Sequence, residues 1–249
     1  MTILNQSSWP DQALQRAHEL LGYSPIDQLS VFDVGAHQGE TLSFFLSSIQ
    51  PSCKLNYYCF EPDPRSFAIL SDFVESSNSQ QPNCKICCFE VAVGDINTKI
   101  NLNQSSSTLV SGILHPEPFL CQRVPDGSHS IISSILCDQI TLDSFVANIQ
   151  PLPPGKKILK IDTEGYDYNV LLGASGLLKQ HFFDVVICEF FAVNYRLCQH
   201  YLWDLASYLH SFGYMFDNIY DNRNTSQGRL YTGNILTLSP AAGAALDFA

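Results

Sequence analysis

Apolar runs alternating with helix-period segments predict an α/β fold, a mostly parallel sheet doubly wound by helices on both faces. Two observations carry this. Apolar runs near residues 31–35, 54–60, 158–162 and 184–189 are each followed by a segment of helical spacing. Near the end, Tyr214 to Tyr220 and Leu230 to Leu238 flank the polar stretch Asp221 to Gly228, which makes an antiparallel hairpin the simplest closure of the sheet. No internal repeat is present.

The elements follow in order. Ala13, Leu14, Ala17, Leu20 and Leu21 share one face of a helix over 10–22, placed to lid the first strand or a ligand. The first strand, 31–35, turns at Gly35 and Gly39 into a helix ending before Pro51. A second strand at 54–60 precedes a helix over Arg65 to Val74 and a polar turn, Asn78 to Asn83. Lys85 to Val93 is a third apolar run, closed by Gly94-Asp95 and followed by a short strand, Lys99 to Leu102. Residues 103–133, rich in Ser, Pro and Gly, form a loop of the length used for lids and substrate contacts, with Phe119, Leu120 and Arg123 as apolar wall and anion contact. Ile135 to Ile140 is extended, and Thr141 N-caps the next helix. After the stiff turn Pro151 to Gly155 come strand four (Ile158 to Asp162), a helix (Tyr166 to Gly173), strand five (Asp184 to Glu189), a helix (Gln199 to His210) and the hairpin. Residues 1–238 thus read as one domain, with 1–25 a helical lid and 103–133 a substrate loop. The Ala-rich stretch 239–249 reads as a tail or a linker within a longer enzyme.

The composition narrows the function. With 249 residues, 45% of them apolar, the chain supports a substantial core. A formal net charge of −11 repels phosphate backbones and anionic lipid, so neither nucleic acid nor membrane is an expected partner. No apolar run has the length of a membrane span, and Met1 to Trp9 lacks the pattern of a signal peptide, which points to a cytoplasmic protein. The nine cysteines, among them Cys59, Cys87, Cys88 and Cys188 in apolar runs, read as buried reduced thiols rather than as a zinc site.

The first strand and its turn carry the chemistry. A strand passing through glycines into a helix leaves backbone N–H groups facing the turn. A dinucleotide fingerprint needs glycines at the first, third and sixth positions, but Gly35, His37 and Glu40 stand there. Glu40 would place negative charge where a pyrophosphate should sit. Glu61, at the end of the second strand, is placed to accept hydrogen bonds from ribose hydroxyls. An adenosine without phosphates fits this pattern, and S-adenosylmethionine is the candidate. A nicotinamide-dependent oxidoreductase on a similar sheet is disfavoured by His37 and Glu40. Ala92-Val93-Gly94-Asp95 should flank the adenine, with Asp95 as an acceptor for its amino group or simply part of a turn.

The ordered series Asp33-Val-Gly-Ala-His-Gln-Gly39, Phe60-Glu-Pro62, Ala92-Val-Gly-Asp95, Thr141-Leu-Asp143, Lys160-Ile-Asp-Thr-Glu-Gly165, Leu172-Gly-Ala174 and Ile187-Cys-Glu189 resembles the FkbM-family S-adenosylmethionine-dependent methyltransferases over about residues 31–190. The resemblance implies a class I methyltransferase (Rossmann-like) fold of seven strands with the last antiparallel. It implies that Asp33, Gly35, Gly39 and Glu61 hold the cofactor. Ala36, His37, Pro62, Ala92, Asp95 and Asp162 complete that candidate set. Similar proteins often carry asparagine where His37 stands; an imidazole can also donate a hydrogen bond. The family mostly methylates hydroxyl oxygens of small natural products or sugars.

A hydroxyl acceptor must lose its proton, which calls for a base or a metal. Asp162 and Glu164, at the end of strand four, and Glu189, at the end of strand five, are the candidates: as the base, as ligands of a Mg2+, or as anchors of the cofactor's amino group. For Glu164, the simple alternative is an acid favoured at a helix N-terminus. A carboxylate acceptor, on a peptide C-terminus or small acid, would instead need a cation, with Arg123, Arg196 and Arg223 as candidates. A non-catalytic binding domain that keeps the pocket is the third class.

Overall fold

The computed structural model describes residues 11–21, 28–50, 52–114, 130–149, 151, 155–191, 200–224 and 230–244. Their main sheet has seven strands: β1 (Gln28–Val34), β2 (Lys54–Phe60), β3 (Cys84–Phe89), β7 (Lys156–Ile161), β8 (Val185–Phe191), β9 (Met215–Asn224) and β10 (Leu230–Leu238). They lie in the order β3-β2-β1-β7-β8-β10-β9. All neighbours are parallel except β10, which runs against both β8 and β9. This is the seven-stranded arrangement with an antiparallel closing hairpin that the sequence predicts. No helix among the described residues is long and apolar enough to cross a membrane.

The central strands are buried on both faces, so their alternation divides the core in two. Leu29 and Val31 of β1, Tyr57 and Cys59 of β2 and Ile158 of β7 pack on one face with α1 (Asp11–Leu20), α2 (Glu40–Ser48) and α3 (Pro64–Gln80). Phe32, Val34, Tyr58, Phe60, Leu159 and Ile161 pack on the other with α4 (Leu142–Ala147), α5 (Asp167–Leu172), α6 (Ser175–Lys179) and α7 (Leu202–Ser211). Cys84 and Cys87 have C-x-x-C spacing, but on a strand a separation of three puts them on opposite faces. Cys84 packs toward the first core and Cys87 toward the second, so they form no pair.

Several expectations are corrected. The run 85–93 is not one strand: β3 ends at Phe89, and β4 (Ala92–Val93) joins a second sheet of order β4-β6-β5 with β5 (Thr98–Ser105) and β6 (Ile131–Ile140). The ends of the expected loop 103–133 are therefore strands, paired antiparallel from Thr98↔Gln139 to Ser105↔Ile131. Beyond them lie a 3-10 turn, Thr108–Val110, and a bridge between Asn103 and Gly112. Phe119, Leu120 and Arg123 lie outside the described residues, as do Arg196, the Arg223 side chain, residues 1–10 and 245–249.

Helix α3 runs six residues past its expected end, from Val74 to Gln80. Asn78, expected in a turn, instead clamps β3 from the helix: its amide donates to the Ile86 carbonyl (2.8 Å) and accepts from the Ile86 N–H (3.0 Å). Helix α1 packs on β9 and β10, with Arg16 paired to Asp217 at 3.4 Å, and shares a core with Leu29 and Val31 of β1. The stretch after Leu238 is no bare tail. The Ser239 N–H donates to the Asp184 carbonyl (2.9 Å), and α8 (Pro240–Ala244) buries Ala242. Thr141 caps α4 as its sequence suggests, accepting from the Ser144 N–H at 3.1 Å.

Candidate active site

The order of strands reverses between β1 and β7. In an open parallel sheet, that point opens a crevice at the carboxyl ends. A cavity of about 590 Å3 lies there, walled by the ends of β1, β2, β7 and β8, by Ala92 and Val93, and by the 3-10 turn of the small sheet. Two glycines shape the turn that carries it. Gly35 sits at φ +78, and a Cβ on it would run into the Asp162 carbonyl oxygen, so only glycine lets the first turn lie against the end of β7. Its N–H and that of Ala36 both donate to the Phe60 carbonyl, at 3.0 and 3.1 Å. Gly39, at φ +98, faces α3, and a Cβ there would come within 2.8 Å of the Phe73 ring. It sets helix packing and does not line the cavity.

Glu61 is buried at the cavity wall. Its Oε2 accepts from the His37 N–H and its Oε1 from the Asp63 N–H, both at 2.8 Å. Burial pushes its carboxyl up to about 7, against those two N–H groups, which favour the charge. His37 adopts φ +48, unusual for a non-glycine residue. Its ring joins Glu40 Oε1 through Nδ1 (2.9 Å) and Thr108 Oγ1 through Nε2 (2.9 Å). Burial opposes an imidazolium here, but the Glu40 carboxylate outweighs it and holds His37 above its ordinary value. The glycine turn is thus fastened to the small sheet. A second fastening is Asp63, which accepts from Arg65 Nη2 (2.6 Å) and Gln104 Nε2 (2.9 Å), while Arg65 Nη1 reaches the Ser105 carbonyl (3.0 Å).

Asp33, expected at the cofactor, lies beneath the cavity and is absent from its lining. Its strand position faces the α1–α3 side, level with Lys160 on β7. There it accepts from Tyr57 Oη (2.9 Å) and pairs with Lys160 Nζ (3.2 Å). Burial raises the Asp33 carboxyl, with Lys160 opposing the rise. Lys160 does line the cavity; its ammonium also donates to the Gly35 carbonyl (3.1 Å) and lies 3.6 Å from Asp162 Oδ2. Burial works against its charge, yet Asp33 and Asp162 hold its value above that of a free lysine. A lysine inside Ile158-Leu-Lys-Ile161 was the sequence signal for this role, since a buried strand carries such a charge only when it is paired.

Asp162, Glu164 and Glu189 converge on the cavity, with one oxygen of each within 4.8 Å of the others. Glu164 holds φ +56. Glu189 is 5% exposed; Thr232 Oγ1 of β10, which donates to the Phe190 carbonyl (2.6 Å), lies 3.3 Å from Glu189 Oε1, and Glu189 Oε2 meets no hydrogen-bond donor among the described residues. Burial first, and then Asp162 and Glu164, push the Glu189 carboxyl well up. Behind it, buried Asp167 accepts from Thr163 Oγ1 (2.8 Å), and burial raises its carboxyl to about 7. The expected residues Gly35, Ala36, His37, Glu61, Pro62, Ala92, Asp162, Glu164 and Glu189 all line the cavity. Asp95 does not: beyond the end of β4 it accepts from Tyr166 Oη at 3.4 Å. Thr108 and Thr232 had no signal in the sequence, because only the small sheet and the hairpin bring them to the crevice.

A family model described as the methyltransferase FkbM domain matches residues 33–216. Among solved structures, methyltransferase FkbM from Methylobacillus flagellatus KT is 18% identical with a TM-score of 0.54. The match covers 84% of this chain and 44% of that one, so this chain spans under half of its length. Magnesium protoporphyrin IX methyltransferase from Synechocystis PCC 6803, solved with bound SAM, is 12% identical with a TM-score of 0.46, covering 91% of this chain and 77% of that one. No protein among those with curated descriptions matches.

Proposed function

The chain belongs to the FkbM methyltransferase family, and from that premise we propose that it moves a methyl group from S-adenosylmethionine to a hydroxyl of a small natural product or peptide. One observation carries the reading. A single crevice joins a buried acid suited to ribose hydroxyls, Glu61, with three acids at its other wall, Asp162, Glu164 and Glu189.

The lining fits this cofactor. Each Glu61 oxygen spends one lone pair on a backbone N–H and keeps capacity for a hydroxyl. Gly35 and Ala36 present bare backbone, and Ala92 and Val93 offer apolar wall for a base. Acids outnumber bases around the crevice, which favours a ligand bearing sulfonium and ammonium charge. When bound, S-adenosylmethionine supplies an activated methyl on sulfur. The protein's part is to orient the acceptor and to take its proton. Proximity of this kind contributes on the order of 7–11 kcal/mol in favourable cases. Asp162 is the proton acceptor of this reading, with Lys160 fixing its carboxylate from below. Glu164 and Glu189 hold the acceptor, with or without the Mg2+ that carboxylate oxygens suit.

Esterification of a carboxylate is the weaker reading. The one Lys or Arg among the described lining residues is Lys160, already engaged by Asp33 and Asp162. The same surplus of acids argues for a small molecule or peptide over nucleic acid. Calorimetry against S-adenosylmethionine and NAD tests the reading first. Binding of NAD and not of S-adenosylmethionine would end it. Transfer of labelled methyl into an extract of the source organism, followed by mass spectrometry, then identifies the acceptor; binding without any transfer would leave a binding domain.

A further inference from the structure

We infer that Asp162, Glu164 and Glu189, backed by Asp167, form a site for one hard divalent cation that seats the acceptor's oxygen. This rests on the methyl-transfer reading for the acceptor but not for the cation.

The geometry comes first. Three side chains from two strand ends bring an oxygen each to within 4.8 Å of one another. An ion with oxygen ligands at about 2.3–2.6 Å spans that distance; Mg2+, at about 2.0–2.1 Å, asks the oxygens to draw together slightly. All donors are carboxylate oxygens, with no sulfur or imidazole, which selects a hard cation.

Glu189, the buried member of the trio, then points to a ligand by its own surroundings. It is 5% exposed, it lines the cavity, and its Oε2 has no donor among the described residues. A buried carboxylate oxygen left in that state is costly unless a cation or proton meets it. Asp167, outside the trio, is 2% exposed and leaves Oδ1 in the same state.

Charge decides between a proton and a metal. Lys160 is the one lysine or arginine described in the lining, and it is shared between Asp33 at 3.2 Å and Asp162 at 3.6 Å. One shared proton serves one pair of carboxylates and leaves the remaining acids facing each other. A divalent ion neutralises the group at one point. Three protein ligands leave further coordination positions open to the cavity, where an acceptor hydroxyl would be easier to deprotonate; Asp162 serves the ion through one oxygen, and its other oxygen takes the proton.

The test is Mn2+ binding, followed by electron paramagnetic resonance, on protein freed of metal with a chelator. One Mn2+ per chain is expected, bound tighter than about 1 mM and displaced by Ca2+ or Mg2+. Glu164→Gln and Glu189→Gln should each weaken it at least tenfold. Glu61→Ala should leave it unchanged while losing S-adenosylmethionine binding. If Glu189→Gln does not fold, Glu164→Gln carries the comparison, since its side chain is partly exposed. Folded protein that binds S-adenosylmethionine but takes up no Mn2+, or equal uptake by wild type and Glu164→Gln, overturns the site. Mn2+ uptake without S-adenosylmethionine binding supports the site and removes the methyl-transfer reading instead.

Discussion

Asp33 and Lys160 face each other across adjacent parallel strands, Oδ1 to Nζ at 3.2 Å, with side chains 0% and 5% exposed. Lys160→Met strips a buried carboxylate of its counter-charge, and a loss of about 3–5 kcal/mol is expected. Asp33→Asn combined with Lys160→Met should recover more than half of it, because the asparagine still accepts from Tyr57 and needs no cation. Urea unfolding of the two variants checks this. Equal losses in both would show that the pair is not the cause.

Glu61 makes two quantities depend on pH. Its folded value, about 7, lies above the ordinary 4.5. The cofactor-free protein binds this proton more tightly than the unfolded chain does. Its contribution to stability is therefore complete below about 4.5 and is lost as pH rises to about 7. Glu61→Gln should flatten that slope in thermal unfolding from pH 5 to pH 8. Affinity for S-adenosylmethionine should move the other way, rising several-fold from pH 6 to pH 8 as the carboxylate ionises. A pH-independent Kd would detach Glu61 from the ribose.

Gly35→Ala meets both a left-handed backbone and the Asp162 carbonyl. We expect strain of about 1–3 kcal/mol and S-adenosylmethionine binding weaker by about tenfold or more. Calorimetry on folded variant reads this directly.

Thr108→Val keeps shape and deletes the hydroxyl that meets His37 Nε2 at 2.9 Å. One hydrogen bond of about 1 kcal/mol should raise KM for S-adenosylmethionine three- to tenfold. With kcat held within twofold, the change belongs to the fastening of the glycine turn. A kcat loss alone would place Thr108 elsewhere in the cycle.

Asp162→Asn should cut kcat by about 10²–10⁴-fold while the Kd for S-adenosylmethionine stays within threefold. Unchanged turnover would take Asp162 out of the proton-transfer role.

The main sheet was readable because its strands are short apolar runs with helices between them, and hydrophobic period reports that arrangement directly. Glu61, Asp162 and Glu189 were readable for a related reason: each stands at or within two residues of a strand's carboxyl end, where a parallel sheet collects its ligands. What escaped depends on pairing between distant segments. Ile131 to Ile140 is mostly exposed and its apolar residues do not alternate, so only the part from Ile135 read as extended. Its pairing with β5 is a fact of tertiary contact. The family resemblance implied Asp33 as a cofactor contact. Strand alternation turns it to the opposite side, toward Tyr57 and Lys160. Cys84 and Cys87 carry metal-like spacing that a strand cannot use. Helix α3 outran its expected end because Asn78 finds its partners on β3 rather than in a turn.

The small sheet leaves and rejoins the chain at one point: the Gly94 N–H donates to the Ile140 carbonyl at 3.0 Å, so the stretch between them is a closed excursion. Its described residues nonetheless tie back to the turns after β1 and β2, through Thr108 on His37 and Gln104 on Asp63. Exchanging this cassette therefore alters the acceptor wall and the fastening of the donor's turn together. A swap of residues 95–139 that keeps Gln104 and Thr108 is the route to altered selectivity without loss of the donor site.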